Sequence, residues 1–270
     1  MTQEFEKFLY IHKGLQPVTV NGHINAVKRI NRKLGTLTKE SVDNFVFTLY
    51  QSNYSYTHKI NQVTALEYWF EHLGQKVRYA RQRKPKSLIK KTLSEAEITR
   101  LLFCCKNIRE KAIITTLSYS GIRPKELVNL KVQDVDLGSN ELRVNQGKGL
   151  KDGIVYVSPA CTRILLDYLN HYPRNPESLM FNTADGLRPF NQGCLRKLVK
   201  VLAGRANLER RVYPYLFRHS LGTNMVLRGG DIFLVKKQLR HADIMTSLGY
   251  IHCLSYGVKN EYERFVPSYI

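Results

Sequence analysis

The chain reads as mainly α-helical, in two parts: a helical N-terminal domain and a larger, mostly helical C-terminal domain with one small antiparallel sheet. Three observations predict this. Apolar residues recur at helical spacing from Phe5 to Phe70. A basic, apolar-poor stretch from Arg78 to Lys91 interrupts the pattern, and Ser94-Glu-Ala-Glu97 behind it is a capping box, so a new helix and a new domain start there. Beyond that point the helical period is broken once, by short runs around a Gly138-Ser-Asn turn that read as a hairpin. A chain of 270 residues has room for two domains.

In chain order, residues 2–14 carry Phe5, Phe8, Leu9 and Ile11–His12 at roughly helical spacing, with Pro17 following. A second helix holds Val20, Ile24, Val27, Ile30 and Leu34, interleaved with His23, Lys28, Arg29, Arg32 and Lys33; that basic face either lies on nucleic acid or is simply solvated. A third starts near Thr38 and runs through Val42, Phe45, Val46 and Leu49. A fourth spans Tyr56 to Leu73 with Ile60, Val63, Leu66, Trp69 and Phe70 as its stripe and Gly74 as its stop; Trp69 reads as core rather than a stacking platform.

The block Arg78-Tyr-Ala-Arg-Gln-Arg-Lys-Pro-Lys86, continued by Lys90-Lys91, is too basic to be a core element. It reads as a linker, either plain or laid along a phosphate backbone through Arg81, Arg83, Lys84, Lys86, Lys90 and Lys91. The expected division is therefore 1–85, a linker at 86–91, and 92–270. In the second part helices are expected at 95–104, 108–119, 124–130, 160–171, 190–205, 215–228, 231–240 and from 243 onward, with strands at 132–137, 141–146 and 153–157.

Composition bounds the partner. With 42 Lys+Arg against 22 Asp+Glu the formal charge is +20, an excess that points to a polyanion, nucleic acid before a membrane surface or a ribosome. Hydrophobic residues make up 43%, ample for packed cores and too many for a disordered chain. No run approaches the ~20 apolar residues of a membrane span. The start Met1-Thr-Gln-Glu-Phe-Glu is not a secretion signal. The five cysteines, Cys104, Cys105, Cys161, Cys194 and Cys253, are odd in number and lack C-x-x-C spacing, which disfavours zinc ribbons and disulfide frameworks and fits a reducing cytoplasm.

Seven residues have the chemistry for breaking a phosphodiester without a metal: Arg123, Glu126, Lys148, Tyr215, Arg218, His241 and Tyr250. Arginine forks bind phosphate bidentately and stay charged. Arg123 follows Gly121 and precedes Pro124, a helix-start pattern, and Glu126 on the next turn can brace its guanidinium. Lys148 sits between two glycines in a strand-to-strand turn; Leu142 and Gly149 exclude a P-loop. Tyr215 and Arg218 are one helical turn apart, and His241 ends a helix, where a cation is favoured. Helix–turn–helix binding is the competing reading of 215–240. A tyrosine can form a covalent phosphoryl intermediate; Tyr256, Tyr262 and Tyr269 rival Tyr250 on composition alone.

The phrases Gly121-Ile-Arg-Pro-Lys-Glu-Leu127, Gly147-Lys-Gly149, Tyr215-Leu-Phe-Arg-His219 and Arg240-His241 followed by Tyr250 resemble the tyrosine recombinase (phage integrase) family, over about residues 95–270. The resemblance implies a helical, SAM-like core-binding domain and a catalytic domain of the DNA breaking–rejoining fold, in a two-domain, Xer-like arrangement. It selects Tyr250, nine residues beyond His241, as nucleophile, and gives Lys148 the protonation of the leaving 5′-oxygen. His219 becomes structural support. It implies no cofactor or metal, a duplex DNA partner, four protomers on two sites, and a tail from Tyr256 to Ile270 that docks on a neighbour or on its own domain. Two departures stand out: the family usually has His where Tyr215 stands, and commonly Gly where Arg240 stands. A phenol of reference pKa ~10 makes a poor general base near neutrality. A type IB topoisomerase-like nicking-closing enzyme and a non-catalytic DNA-binding regulator are the alternatives.

Overall fold

Caps and glycines in the sequence decide where the helices of the first unit begin and end. In the computed structural model, α1 (Thr2–Ile11) gives way to Gly14 at φ 59°, and Pro17 opens α2 (Pro17–Leu34), which closes on Gly35 at φ 78°. Thr38 caps α3 (Lys39–Gln51) by accepting from the Ser41 amide at 3.2 Å, and Ser55 caps α4 (Tyr56–His72) by accepting from His58 at 3.2 Å. Gly74 ends α4 in a Schellman turn, with Gln75 N–H donating to Phe70 O at 2.9 Å. The structure describes residues 2–83, 85, 92–145, 152–183 and 188–248. The chain divides into two units, Met1–Leu88 and Ile89–Ile270.

Helix α4 serves two apolar clusters in the first unit. One gathers Phe5, Leu9, Val20, Ile24, Val27 and Trp69; the other gathers Ile30, Val42, Val46, Leu49, Val63, Leu66 and Phe70. Trp69 is buried edge-on to Phe5, ring centroids 5.1 Å apart, which makes it a core residue. The stretch after Gly74 departs from the linker expectation. Val77 and Tyr79 pack on the second cluster, Tyr79 OH donates to Asp43 at 2.8 Å, and Tyr50 OH donates to Ala80 O at 2.7 Å. The cause lies on α4. Glu67 has a side chain only 1% exposed, and a buried carboxylate needs partners. It takes the Tyr79 amide at 2.9 Å and Arg81 at 2.6 Å. The first basic residues of the block thus strap onto the domain.

In the second unit the capping box forms as expected. Ser94 N–H donates to Glu97 at 2.8 Å and Glu97 N–H to Ser94 at 3.2 Å, starting α5 (Glu95–Phe103). Helix α6 (Ile108–Ser120) is buried on nearly every side, and its Thr116, Ser118 and Ser120 hydroxyls return to carbonyls one turn back. Around it pack α8 (Pro159–His171), α10 (Pro214–Leu227) and α5. A short α7 (Pro124–Asn129) follows Gly121, then a 3₁₀ turn Val132–Asp134 leads into β1 (Val135–Asp136). With β2 (Glu141–Val144) and β3 (Gly153–Tyr156) it makes an antiparallel sheet in the order β1-β2-β3, Val135 opposite Leu142 and Leu142 opposite Val155. Helices α9 (Gln192–Arg205), α11 (Ile232–Leu239) and α12 (Ile244–Leu248) complete the described elements.

The expected strand 132–137 is corrected to those two residues. Val132 N–H donates to Ser178 O at 3.0 Å and Gln133 N–H to Pro176 O at 2.8 Å, while Asp134 accepts from the Lys131 amide at 3.0 Å. Those bonds take the backbone groups that a longer β1 would have paired with β2.

Among the described glycines of this unit, Gly121 has the closest contact to an added Cβ. It stands at φ 64°, and a Cβ there would lie 2.5 Å from Leu239 Cδ2 and 3.0 Å from Leu221 Cδ2. Gly121→Ala is expected to cost roughly 2–3 kcal/mol, from left-handed strain plus overpacking against the buried Leu239. Urea unfolding checks this; an unchanged midpoint would refute the crowding argument.

Candidate active site

Three chain segments far apart in sequence meet at the end of α11. Arg123 is the residue before α7, and Glu126 is on that helix's first turn. The Arg123 amide donates to Glu126 Oε2 at 2.9 Å and its Nη1 to Oε1 at 2.8 Å, so the carboxylate braces the guanidinium as the spacing suggested. Arg123 Nη2 reaches Arg240 O at 3.2 Å. Arg218, 4% exposed on α10, donates Nη1 to Gly121 O at 2.6 Å and Nη2 to Leu239 O. Two guanidinium groups 95 residues apart therefore bind consecutive carbonyls of one turn.

That turn exists because Arg240 adopts the left-handed conformation, φ 50° and ψ 51°. Arg240 N–H donates to Lys237 O and His241 N–H to Lys236 O, a Schellman motif in which glycine is the usual residue. The sequence departure at Arg240 thus leaves the left-handed backbone intact. Its side chain folds inward: Nη2 meets Glu126 Oε2 at 2.5 Å, and its Nε is buried without a hydrogen-bond partner among the described residues. Burial, with Arg123 nearby, pulls the Arg240 pKa down against the opposing pull of Glu126.

His241 follows directly, half-buried, with Nδ1 2.7 Å from Ser247 Oγ on α12. Tyr215 stands on the first turn of α10 and is 45% exposed, three residues before buried Arg218; His219 is half-buried. Lys148 and Tyr250 lie outside the described residues, as do Lys84, Lys86, Lys90, Lys91, Cys253 and the tail from Tyr256. The structure therefore brings Arg123, Glu126, Arg218 and the His241 turn together.

Among the remaining basic candidates, Lys28, Arg29, Arg32, Lys33 and Arg83 are exposed. Arg29 donates to Gln62 at 2.7 Å, and Lys33 lies over the Phe45 ring at 5.6 Å. Arg81 pairs with the buried Glu67 at 2.6 Å while its side chain stays 38% exposed. No helix among the described residues is long and apolar enough to cross a membrane.

Sequence reasoning missed Arg240 and Gln238. Gln238 on α11 donates to Tyr156 O at 2.8 Å and Ser120 O at 3.1 Å, and accepts from Tyr156 N–H at 3.2 Å. A lone glutamine on an amphipathic helix carries no signal that it will fasten a sheet edge. Arg240 was visible only as the wrong residue for its turn.

Residues 91–255 match the phage integrase family. A curated tyrosine recombinase of Pseudothermotoga lettingae is 28% identical over 161 residues, covering 59% of this chain and 55% of that protein. The chain thus spans about half the length of that relative. Tyrosine recombinase XerA of Pyrococcus horikoshii is 27% identical over 268 residues, 97% of this chain and 92% of that protein. Among solved structures, the XerH site-specific recombinase bound to difH substrate shares the fold, with TM-score 0.72, 20% identity, and coverage of 98% and 84%. In fold and in its relatives the chain is similar to tyrosine recombinases. The chain belongs to the phage integrase family.

Proposed function

We propose that the protein is a site-specific recombinase of duplex DNA in which Tyr250 attacks the scissile phosphorus. The phenol gives its proton to solvent, its phenolate being favoured by the two guanidinium groups; the phenolate oxygen then forms the new bond to phosphorus, and the bond to the 5′-oxygen breaks. The departing oxygen keeps its electron pair and takes a proton from Lys148, leaving a 3′-phosphotyrosyl link. A 5′-hydroxyl of the partner duplex then reverses the step, through a Holliday junction, without ATP or metal. Arg123 and Arg218 hold the nonbridging oxygens, where charge grows in the transition state. A guanidinium has more N–H donors than the carbonyl and carboxylate bonds of Arg123 use. Tyr215 and His241 donate to the same phosphate, with His219 in support.

The single observation that carries this reading is the convergence of Arg123 and Arg218 on one turn, beside His241. In this reading residues 1–85 form the core-binding domain, 86–91 the basic linker and 92–270 the catalytic domain, working in the cytoplasm as two protomers per site and four per synapse. Lys28, Arg29, Arg32, Lys33, Arg81, Arg83 and the linker lysines track the DNA backbone. A nicked suicide duplex tests the reading: the covalent adduct should form without divalent cation, and peptide mapping should place the nucleotide on Tyr250. An adduct on another tyrosine would overturn the assignment. Relaxation of supercoils by monomers, without strand exchange, would identify a nicking-closing enzyme instead.

The charge excess makes a second expectation. Affinity for the duplex should fall by about 0.9 log units per tenfold rise in salt for each phosphate contacted. A flat response in a filter or anisotropy titration would remove the backbone-tracking role of the basic residues.

A further inference from the structure

Arg240 sits where glycine would hold the same backbone more cheaply. Its left-handed conformation is strained for a side-chain-bearing residue, its Nε is buried without a partner among the described residues, and it lies against another guanidinium across Glu126. Three costs at one position call for a gain elsewhere. The surroundings also make room for it. A Cβ on Gly153, the first residue of β3, would come within 2.8 Å of Arg240 Cδ.

The gain is electrostatic. Glu126 carries one negative charge and is shared by two arginines, Arg123 through Oε1 and the backbone amide, Arg240 through Oε2. The side chains are only 18%, 6% and 13% exposed for Arg123, Glu126 and Arg240, so water screens them weakly. Without Arg240, Arg123 and Glu126 would cancel. With it, the trio keeps a net positive charge where the proposed phosphate binds.

We propose that Arg240 is a positioning residue for DNA cleavage: it occupies part of Glu126, so that this carboxylate orients Arg123 without neutralising it. The inference rests on the recombinase reading above. It concerns a group that acts through Glu126 and Arg123 and need not touch DNA.

The test is single-turnover adduct formation on the nicked duplex, read beside duplex affinity and the urea unfolding midpoint, for wild type, Arg240→Gly, Arg240→Lys and the double variant Arg240→Gly/Glu126→Gln. Arg240→Gly should unfold at or above the wild-type midpoint and bind DNA nearly as well. Its cleavage rate should fall by about tenfold or more, the scale for removing an outer partner of a charged group. Arg240→Lys should recover much of that rate, because it restores the charge. Adding Glu126→Gln to Arg240→Gly should raise the rate again, because the uncompensated carboxylate is gone. The inference is overturned if Arg240→Gly cleaves like wild type, if it unfolds at lower urea, if lysine gives no recovery, or if the second substitution slows cleavage further. Wild-type protein that forms no adduct would instead overturn the recombinase reading itself.

Discussion

Tyr250→Phe is expected to abolish covalent attachment to DNA while leaving duplex affinity nearly unchanged. The substitution removes one oxygen and keeps the ring, so contacts made by the segment around it survive. Removing a member of a covalent-catalysis unit costs roughly 10⁴- to 10⁶-fold in rate, which puts the remaining reaction below detection in a gel assay. Affinity persists because, in the proposed mechanism, it comes from many phosphate contacts spread over both units and not from the nucleophile. A labelled suicide duplex incubated with the variant, denatured and run against wild type, decides the matter. Adduct from Tyr250→Phe at the wild-type rate would move the nucleophile to another tyrosine, with Tyr256, Tyr262 and Tyr269 the next to test.

The second large effect is expected at Arg218, and here fold and chemistry separate. The residue is 4% exposed and satisfies Gly121 O and Leu239 O, the ends of α6 and α11. Arg218→Ala leaves both carbonyls without those bonds and opens a void, at a cost of about 3–5 kcal/mol. Adduct formation should also fall by roughly 10²-fold or more, the scale for losing one preorganised donor. Arg218→Lys is the informative partner. An ammonium is a point charge that cannot fork between two carbonyls and a phosphate oxygen. It should return part of the stability and little of the cleavage. Wild-type cleavage by Arg218→Lys would mean that the planar fork is unimportant there.

The helices were legible because their signals are local. The Ser94–Glu97 box, the Pro124 start and the Gly74 and Gly121 stops each act within one or two turns, and each stands in the structure where the sequence placed it. The pairing of Arg123 with Glu126 was legible for the same reason. What could not be read was decided by distant partners. The strand expected at 132–137 lost most of its length because residues 176 and 178 claim its amides. The basic block was read as linker because nothing local reveals that Glu67, buried on α4, will capture Arg81 and the Tyr79 amide. The inward turn of Arg240 needed Glu126, 114 residues upstream in the chain.

The two-point clasp of Gln238 on Tyr156 has a mechanical consequence. It fastens the free margin of β3 at Tyr156 with a side-chain amide instead of another strand, which ties α11 to the sheet at that residue. The turn bearing His241 ends that helix. A force that displaced α11 would therefore pull on the sheet at Tyr156 and on the turn bearing His241 together.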